Sequence, residues 1–397
     1  MKSLDIEQAY KKLVVSLTAD SETSYLVDSI NELNKINSEI SSTTDKFGYK
    51  LFPDTSVHIG EYGKADELNT RFLCHNNGTA LGSFSKDEIA LVTGFGTTDS
   101  PSPGTLSMIF RLLELQKKAG IYVSAIVSDF GTLNSRNIDA DTSAKLTLQF
   151  IQFIENLGFD YNCGELRSHN DKDYGALLPL VTSCLSISDF AEYTEATDNQ
   201  YHNLEIFRGD FAMYTYKAMM ATDILLPLVV HNKKAVVVTT GLEEHYHPNF
   251  ARFVGNRFKE LGGGYDSLVP DYFQISALYS KMINGFFPYA KMSRSIPDSS
   301  LCIGDSEKSI AEKIRLSDDI SNIVICQMME LMSGWEEEKI LSAKKAFLEN
   351  HGWKEYKEDF LCLLLSLKKI WEDNKPKNYI SFSNFVFGNN NRNTSDV

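Results

Sequence analysis

The sequence predicts an α/β protein organised around a parallel sheet, with helical segments added before and after it. Two observations carry this. Between residues 88 and 261, short apolar runs rich in β-branched residues alternate with longer amphipathic stretches, and strand–helix alternation is the pattern of a parallel sheet covered by helices. From Ile320 onward the periodicity is helical only, with Trp335, Trp353 and Trp371 in that part.

Taken in order, residues 5–40 read as helix: Ile6, Tyr10, Leu13 and Val14 share one face, and Leu26, Ile30, Leu33 and Ile36 another. Residues 41–80 are polar, punctuated by Gly48, Pro53, Gly60 and Gly63, and read as loop with short strands. Glu88 to Thr93, EIALVT, is a buried strand closed by Gly94 and Gly96. A helix follows from Gly104 to Ala119, stopped by Gly120. Ile121 to Val127, IYVSAIV, is a second strand, and Asp139 to Leu157 a helix ended by Gly158. Ala235 to Thr239, AVVVT, is a further core strand, and Phe250 to Leu261 a further helix. From Tyr379 the chain turns Asn- and Ser-rich and reads as a flexible tail. The expected organisation is an N-terminal helical and irregular extension (1–80), a sheet domain (81–315), a helical C-terminal domain (316–378) and the tail (379–397).

Composition narrows the function classes. The 397 residues suffice for one large domain and a smaller one, and 43% are apolar, enough for a core. A net charge of −14 excludes a broad cationic face, so any nucleic acid must meet a local patch. The six cysteines form no CxxC, which argues against a disulfide framework or a zinc ribbon and fits a reducing, cytoplasmic setting. The N-terminus carries no signal-peptide core, and no run of 18 apolar residues exists, so no membrane is expected.

Ligands of such a sheet bind at the carboxyl ends of its strands. That rule gathers Gly94 to Gly96, Asp129 and Thr239 to Glu244 around one crevice. Downstream, Lys291 to Ser295 reads KMSRS, inside KMSRSIPDSSLCIGDSEKSIAEKI. Lys, Ser and Arg on a loop suit a triphosphate, because cations offset charge that builds on a leaving pyrophosphate. The motif is one residue from the KMSKS loop of class I aminoacyl-tRNA synthetases. Three further stretches resemble the tryptophanyl/tyrosyl branch of that family, in its order: GFGTTDSPSPGTLSMIFRLLELQKKAG from Gly94, YKAMMATDILL from Tyr216, and TGLEEHYHPNFARFVGNRF from Thr240. Together these cover roughly residues 88–315.

The resemblance implies a Rossmann-like parallel sheet as the catalytic domain, and ATP with Mg²⁺. It also implies an aromatic amino acid, tRNA as acceptor and a homodimer. Lys291, Ser293, Arg294 and Ser295 would serve the triphosphate. Gly94, Gly96, Thr97, Gly104, Thr105 and Gly241 would bind ATP. Tyr216, Met220, Asp223, Glu244 and Asp129 would bind the amino acid. Tyr216, Met220 and Asp223 are spaced by four and seven, so one helical face holds all three. In family terms the Tyr helps hold the ammonium and the Asp takes a hydrogen bond from the side-chain tip. Met at the middle position points to tryptophan, since a flexible thioether packs on a flat ring. The plain alternative is that Met220 fills core and Asp223 is a helix-end charge.

Two departures stand out. The family's HIGH motif should fall between Gly94 and Phe110, and no register there supplies a histidine: the ungapped match is Pro103-Gly104-Thr105-Leu106. His58-Ile59-Gly60-Glu61 looks like a copy but precedes the first core strand. Losing one such donor costs about 3 kcal/mol of transition-state stabilisation. Gly241-Leu242-Glu243-Glu244 stands where the family has Gly-x-Asp-Gln, and an ionised Glu only accepts. Glu243, Glu244, His245 and His247 are metal-ligand types, but their spacing gives no complete site, so no metal beyond that of ATP is expected. There is no P-loop and no GxSxG. Two readings follow: a tryptophan-type ligase, or a divergent paralogue that binds an aromatic amino acid or aminoacyl-tRNA, or serves a specialised pathway.

Overall fold

The computed structural model describes residues 40–60, 62, 68, 70–136, 138–191, 210–286, 289, 292, 297–317, 319–349, 351–377 and 380–387. The helices expected before residue 40 and the loop residues Lys291, Ser293, Arg294 and Ser295 lie outside the described residues.

Seven strands form one sheet: β1 (Lys50–Leu51), β2 (Phe72–Asn76), β3 (Ile89–Gly96), β4 (Tyr122–Ser128), β5 (Gly164–Arg167), β6 (Ala235–Thr240) and β7 (Gln274–Ser280). Their spatial order is β1-β2-β7-β6-β3-β4-β5. The strands from β7 across to β5 are mutually parallel, whereas β2 runs antiparallel to β7 and β1 antiparallel to β2. The parallel part begins at its centre with β3, grows outward through β4 to β5, then crosses back to β6 and β7. That reversal opens a crevice between the carboxyl ends of β3 and β6, the switch point of a Rossmann-like fold. β1 and β2 belong to this same sheet, which therefore draws on residues on both sides of the expected boundary at residue 80.

Helices cover both faces. They are α1 (Pro103–Ala119), α2 (Phe130–Ser135), α3 (Ala140–Asn156), α4 (Lys172–Ser183), α5 (Ile187–Ala191), α6 (Asp210–Val230) and α7 (Tyr246–Leu261), then α8 (Glu307–Arg315), α9 (Asp319–Met332), α10 (Glu337–Leu348), α11 (Trp353–Asp373) and α12 (Phe382–Phe387). Strand alternation sorts the core. Leu91, Val123, Ala125 and Val237 face a cluster with α1, α3 and the C-terminal helices, and Val92, Ile126, Val236 and Val238 face α6 and α7. A fully buried Val, Leu or Ile among these contributes about 1.5–3 kcal/mol. Local signals fix the ends of α1: Ser102 accepts from the Thr105 amide, Pro103 opens the first turn, and Gly120 takes φ 63°.

The C-terminal helices share the core of the sheet. Trp371 of α11 meets Phe150 and Phe153 of α3 edge to face at 4.9 and 5.6 Å, and its carbonyl accepts from Gln149 Nε2 at 2.7 Å. The expected flexible tail is corrected over its first part. α12 docks on α3: Asp141 accepts from the Phe382 amide at 2.7 Å, Phe385 is buried, and Asn170 Nδ2 donates to the Phe385 carbonyl at 2.9 Å. Two phenylalanines one helical turn apart outweigh the polar composition around them.

Candidate functional site

The crevice brings together the residues that the strand pattern gathers. Gly94 pairs in register with Ile126 and Gly96 with Ser128, so both glycines end β3 beside the end of β4. Across β3, Thr93 Oγ1 donates to the Thr239 carbonyl of β6 at 3.0 Å. Gly94 and Gly96 are exposed while their neighbours Phe95 and Thr97 are buried. Among the described residues nothing requires glycine at these positions. Neither has a positive φ. A Cβ built on Gly94 meets nothing nearer than 3.8 Å, on Gly96 nothing nearer than 3.7 Å, and on Gly104 nothing nearer than 3.9 Å. A side chain there would stand in the crevice, so these glycines leave room for a ligand against the backbone. Gly104 also lies exposed in the first turn of α1, where free amides and the helix dipole favour an anion.

Thr97 and Thr105 do a different job. Thr97 is fully buried; its amide donates to Thr132 Oγ1 at 3.1 Å and its hydroxyl to the Ser128 carbonyl at 3.2 Å. Thr105 belongs to the helix cap, its hydroxyl 3.0 Å from Ser102 Oγ. Both shape the loop between β3 and α1. Gly241 is packed by protein, for a Cβ there would fall 2.4 Å from the Glu243 carboxylate.

The segment carrying KMSRS is anchored next to this loop. The Phe286 amide donates to the Ser299 carbonyl at 2.9 Å, closing the base, and Lys313 Nζ donates to the Pro297 carbonyl at 2.8 Å and the Ser300 carbonyl at 2.6 Å. Just beyond, Gly304 packs on Ser100, so closely that an added Cβ would lie 2.4 Å from its hydroxyl. His58 to Gly60 sits elsewhere. Gly60 packs on the Ala119 carbonyl at the end of α1, at the opposite end of the sheet from the crevice.

Below the crevice, Asp223 of α6 enters a buried ionic network. Its Oδ1 accepts from Arg167 Nη2 at 2.9 Å, and its Oδ2 lies 3.0 Å from His169 Nε2. The other ring nitrogen of His169 lies 3.0 Å from Asp129 Oδ1, which also accepts the His169 amide at 2.9 Å. The side chains of Asp129 and His169 are wholly buried. Arg167 Nε continues to Glu165 at 3.5 Å, which accepts from Ser124 Oγ at 2.6 Å and faces His231 Nε2 at 3.2 Å. Tyr174 of α4 covers the pair, its ring 4.8 Å from that of His169 and 5.2 Å from the Arg167 guanidinium. Burial alone would lower the His169 pKa; Asp223 and Asp129 outweigh it and raise it to about 9. Burial opposes the charge on Arg167 as well, and Asp223 and Glu165 hold it above its ordinary value. Asp223 is therefore neither core filler nor a solvated helix-end charge.

Met220 is half-buried and its tip approaches the same place: a Cβ on Gly131 would lie 3.2 Å from His169 Cε1 and 3.6 Å from Met220 Cε. Tyr216, a turn earlier, meets the His247 ring edge to face at 5.6 Å. Glu165, Arg167 and His169 were not singled out from the sequence. Their signal is the period-two alternation in GELRSH, which sets three ionisable groups on one face of β5 and its extension.

On the β6 side, Glu244 Oε2 stands 2.7 Å from His247 Nε2. Burial pushes Glu244 up, but His247, Arg136 and His245 together hold it below the ordinary range. His245 turns away from both, its Nδ1 3.0 Å from the Tyr49 hydroxyl, and burial with the nearby His247 and Lys46 lowers its pKa to about 4. Among the described residues, no three His, Cys, Asp or Glu side chains are grouped to hold a metal. Of the C-terminal cations, Lys344 is buried against Glu330 at 2.8 Å and Lys368 is buried and pairs with Glu372. Among the described residues no helix is long and apolar enough to cross a membrane.

Comparisons with known proteins agree on one group. A family profile described as tRNA synthetases class I (W and Y) matches residues 85–365. No curated protein matches the sequence. Among solved structures, a tryptophanyl-tRNA synthetase from Encephalitozoon cuniculi bound to tryptophan aligns with TM-score 0.61 at 13% identity, over 87% of this chain and 99% of that one. The tryptophanyl-tRNA synthetase of Plasmodium falciparum aligns with TM-score 0.62 at 14% identity, over 88% and 97%. A tyrosyl-tRNA synthetase from Archaeoglobus fulgidus, complexed with L-tyrosine, aligns with TM-score 0.55 at 15% identity, over 81% and 97%.

Proposed function

We propose that this chain, which belongs to the class I tRNA synthetases of the tryptophan and tyrosine family, activates tryptophan with ATP and passes the acyl group to tRNA. In the first step a carboxylate oxygen of the amino acid attacks the α-phosphorus of ATP, pyrophosphate leaves, and an aminoacyl-adenylate forms. In the second, a ribose hydroxyl at the tRNA 3′ end attacks the acyl carbon and AMP leaves.

The observation that carries the reading is the set of three exposed glycines, Gly94, Gly96 and Gly104, which neither backbone angle nor packing demands. They fit a nucleotide lying across the switch point with its phosphates toward the first turn of α1. Lys291, Ser293, Arg294 and Ser295 would meet the pyrophosphate, and Mg²⁺ would accompany ATP. Tyr216 would help hold the ammonium, Met220 would pack on the aromatic ring, and Asp223 would accept from the tip of the side chain. Glu244, paired with His247, would be a second partner for the ammonium. Asp129 would act through His169, which it holds. A homodimer belongs to the same reading; sedimentation at twice the mass of one chain is the expected result, and sedimentation at the mass of a single chain would overturn it.

A second reading is favoured by one feature: the loop between β3 and α1 offers Thr, Ser and Pro where the family has histidines. A paralogue that binds an aromatic amino acid or aminoacyl-tRNA without charging would tolerate this. Amino-acid-dependent ATP–pyrophosphate exchange separates the two, run with tryptophan, tyrosine and phenylalanine side by side. Exchange that depends on tryptophan is the expected result. No exchange with any of them, in a folded preparation, overturns the ligase reading and leaves the paralogue.

A further inference from the structure

We propose that Arg167 and His169 set the specificity of the amino-acid pocket by holding both oxygens of Asp223, so that its far end accepts a neutral ring N–H and disfavours a cationic side chain. This rests on the pocket assignment above, and deepens it with two residues outside the family's motifs.

The argument is one of charge and placement. Alone, a buried carboxylate is a poor acceptor for a neutral donor, because desolvating it calls for a full counter-charge. Asp223 has two such counter-charges, one on each oxygen: Arg167 Nη2 at 2.9 Å and His169 Nε2 at 3.0 Å. His169 is in turn held at its second nitrogen by Asp129, 3.0 Å away. Each oxygen of Asp223 thus already faces a cation, while Glu165, 3.5 Å from Arg167 Nε, lies behind the guanidinium and away from Asp223. The elevated pKa of His169, about 9, agrees with its standing as an imidazolium at neutral pH.

The two carboxylates packed around His169 support this state against the Arg167 cation and the Gly131 amide, which turns its N–H toward Nδ1. The end of β4 supplies Asp129, α6 supplies Asp223, β5 supplies Arg167, and the first turn of α2 brings the Gly131 amide 3.4 Å from Nδ1. The Tyr174 ring closes the side and stays un-ionised, since burial raises its hydroxyl. His169 is a positioning residue here: it acts through Asp223, while its Cε1 edge and the Met220 tip meet beside Gly131.

The test is isothermal titration of the full chain with two probes, tryptophan and 4-(aminomethyl)phenylalanine, whose side chain ends in an ammonium. His169→Gln keeps a donor but removes one positive charge, so preference is expected to move toward the ammonium probe by at least tenfold. Asp129→Asn removes one negative charge from the same cluster, and the preference is expected to move the opposite way. Opposite shifts support the proposal; a merely structural role would weaken both probes together. If wild type binds tryptophan and neither variant changes the ratio, the specificity proposal falls and the pocket assignment stands. If wild type binds neither probe nor tyrosine nor phenylalanine, the pocket assignment falls, and this proposal with it. Where His169→Gln fails to fold, Asp129→Asn alone decides by the sign of its shift.

Discussion

Two buried histidines flank the crevice, and the protein treats them in opposite ways. On the β4–β5 side, His169 sits between the carboxylates of Asp129 and Asp223 and has its pKa raised to about 9. On the β6 side, His245 sits among Phe47, Tyr49 and Tyr246, its nitrogen on the Tyr49 hydroxyl, and has its pKa lowered to about 4. Burial opposes charge in both. What differs is whether counter-charge is supplied. One wall of the crevice holds its histidine in an ionic lattice, and the other holds His245 in aromatic packing.

The largest expected effect separates the walls directly. Asp223→Ala strands Arg167 and His169 without their shared carboxylate, and breaking a buried pair on one side costs about 3–5 kcal/mol. Chemical denaturation at neutral pH checks it; a loss below about 1 kcal/mol would mean the lattice is not a stability element.

The pH dependence should differ in sign. For His169, raised above its unfolded value of 6.5, the contribution is complete below pH 6.5 and disappears as pH rises through about 9. For His245, lowered from 6.5, the contribution is complete above pH 6.5 and disappears as pH falls through about 4. Each is worth roughly 3 kcal/mol across its window. Urea midpoints from pH 4 to 10 should flatten on the alkaline side in His169→Gln and on the acid side in His245→Phe. Flattening on the same side in both variants would erase the contrast.

Two glycines sharpen it further. An Ala at Gly131 would force Ser128 Oγ, 2.3 Å from the new Cβ, out of the way beside His169, and overpacking costs about 1–3 kcal/mol. An Ala at Gly94 finds open space, so stability should change by less than about 1 kcal/mol, while ATP-dependent exchange falls at least tenfold. Loss of exchange without loss of stability marks a glycine kept for ligand. On the aromatic wall, Tyr49→Phe removes a hydroxyl bonded to His245 and to Asn249, at about 1–2 kcal/mol, less than the lattice variant Asp223→Ala and read by the same denaturation.

The parallel sheet was legible because β3, β4 and β6 are buried on both faces and appear as EIALVT, IYVSAIV and AVVVT. β5 was missed for the reason that makes it interesting: GELR carries charges because one face of the strand is the ionic lattice. β7, QISALYS, is polar at both ends and broken by Ser276, and its partner β2 lies about two hundred residues earlier. The pairing of Arg167 with Asp223 spans 56 residues, beyond any local periodicity. Spacing did place Tyr216, Met220 and Asp223 on one helix, and the end rule for parallel strands did assemble the crevice. Neither could tell that Thr97 points inward. α12 was hidden by its Asn- and Ser-rich surroundings, which composition weighs more heavily than two well-spaced aromatic rings.

The hydrogen bond between Phe286 and Ser299 turns the chain between them into a closed ring. Lys291 lies five residues from one fixed end and Arg294 five from the other. Extended chain covers at most about 3.6 Å per residue, so each Cα is confined to within about 18 Å of its anchor. One charge confined to a sphere of that radius has a local concentration on the order of 0.1 M, independent of how much protein is in solution. With the nucleotide proposed above lying over Gly94 and Gly104, such a tether would act as a reservoir that keeps these cations at high activity beside its phosphates. Lengthening the ring would dilute them as surely as mutating them.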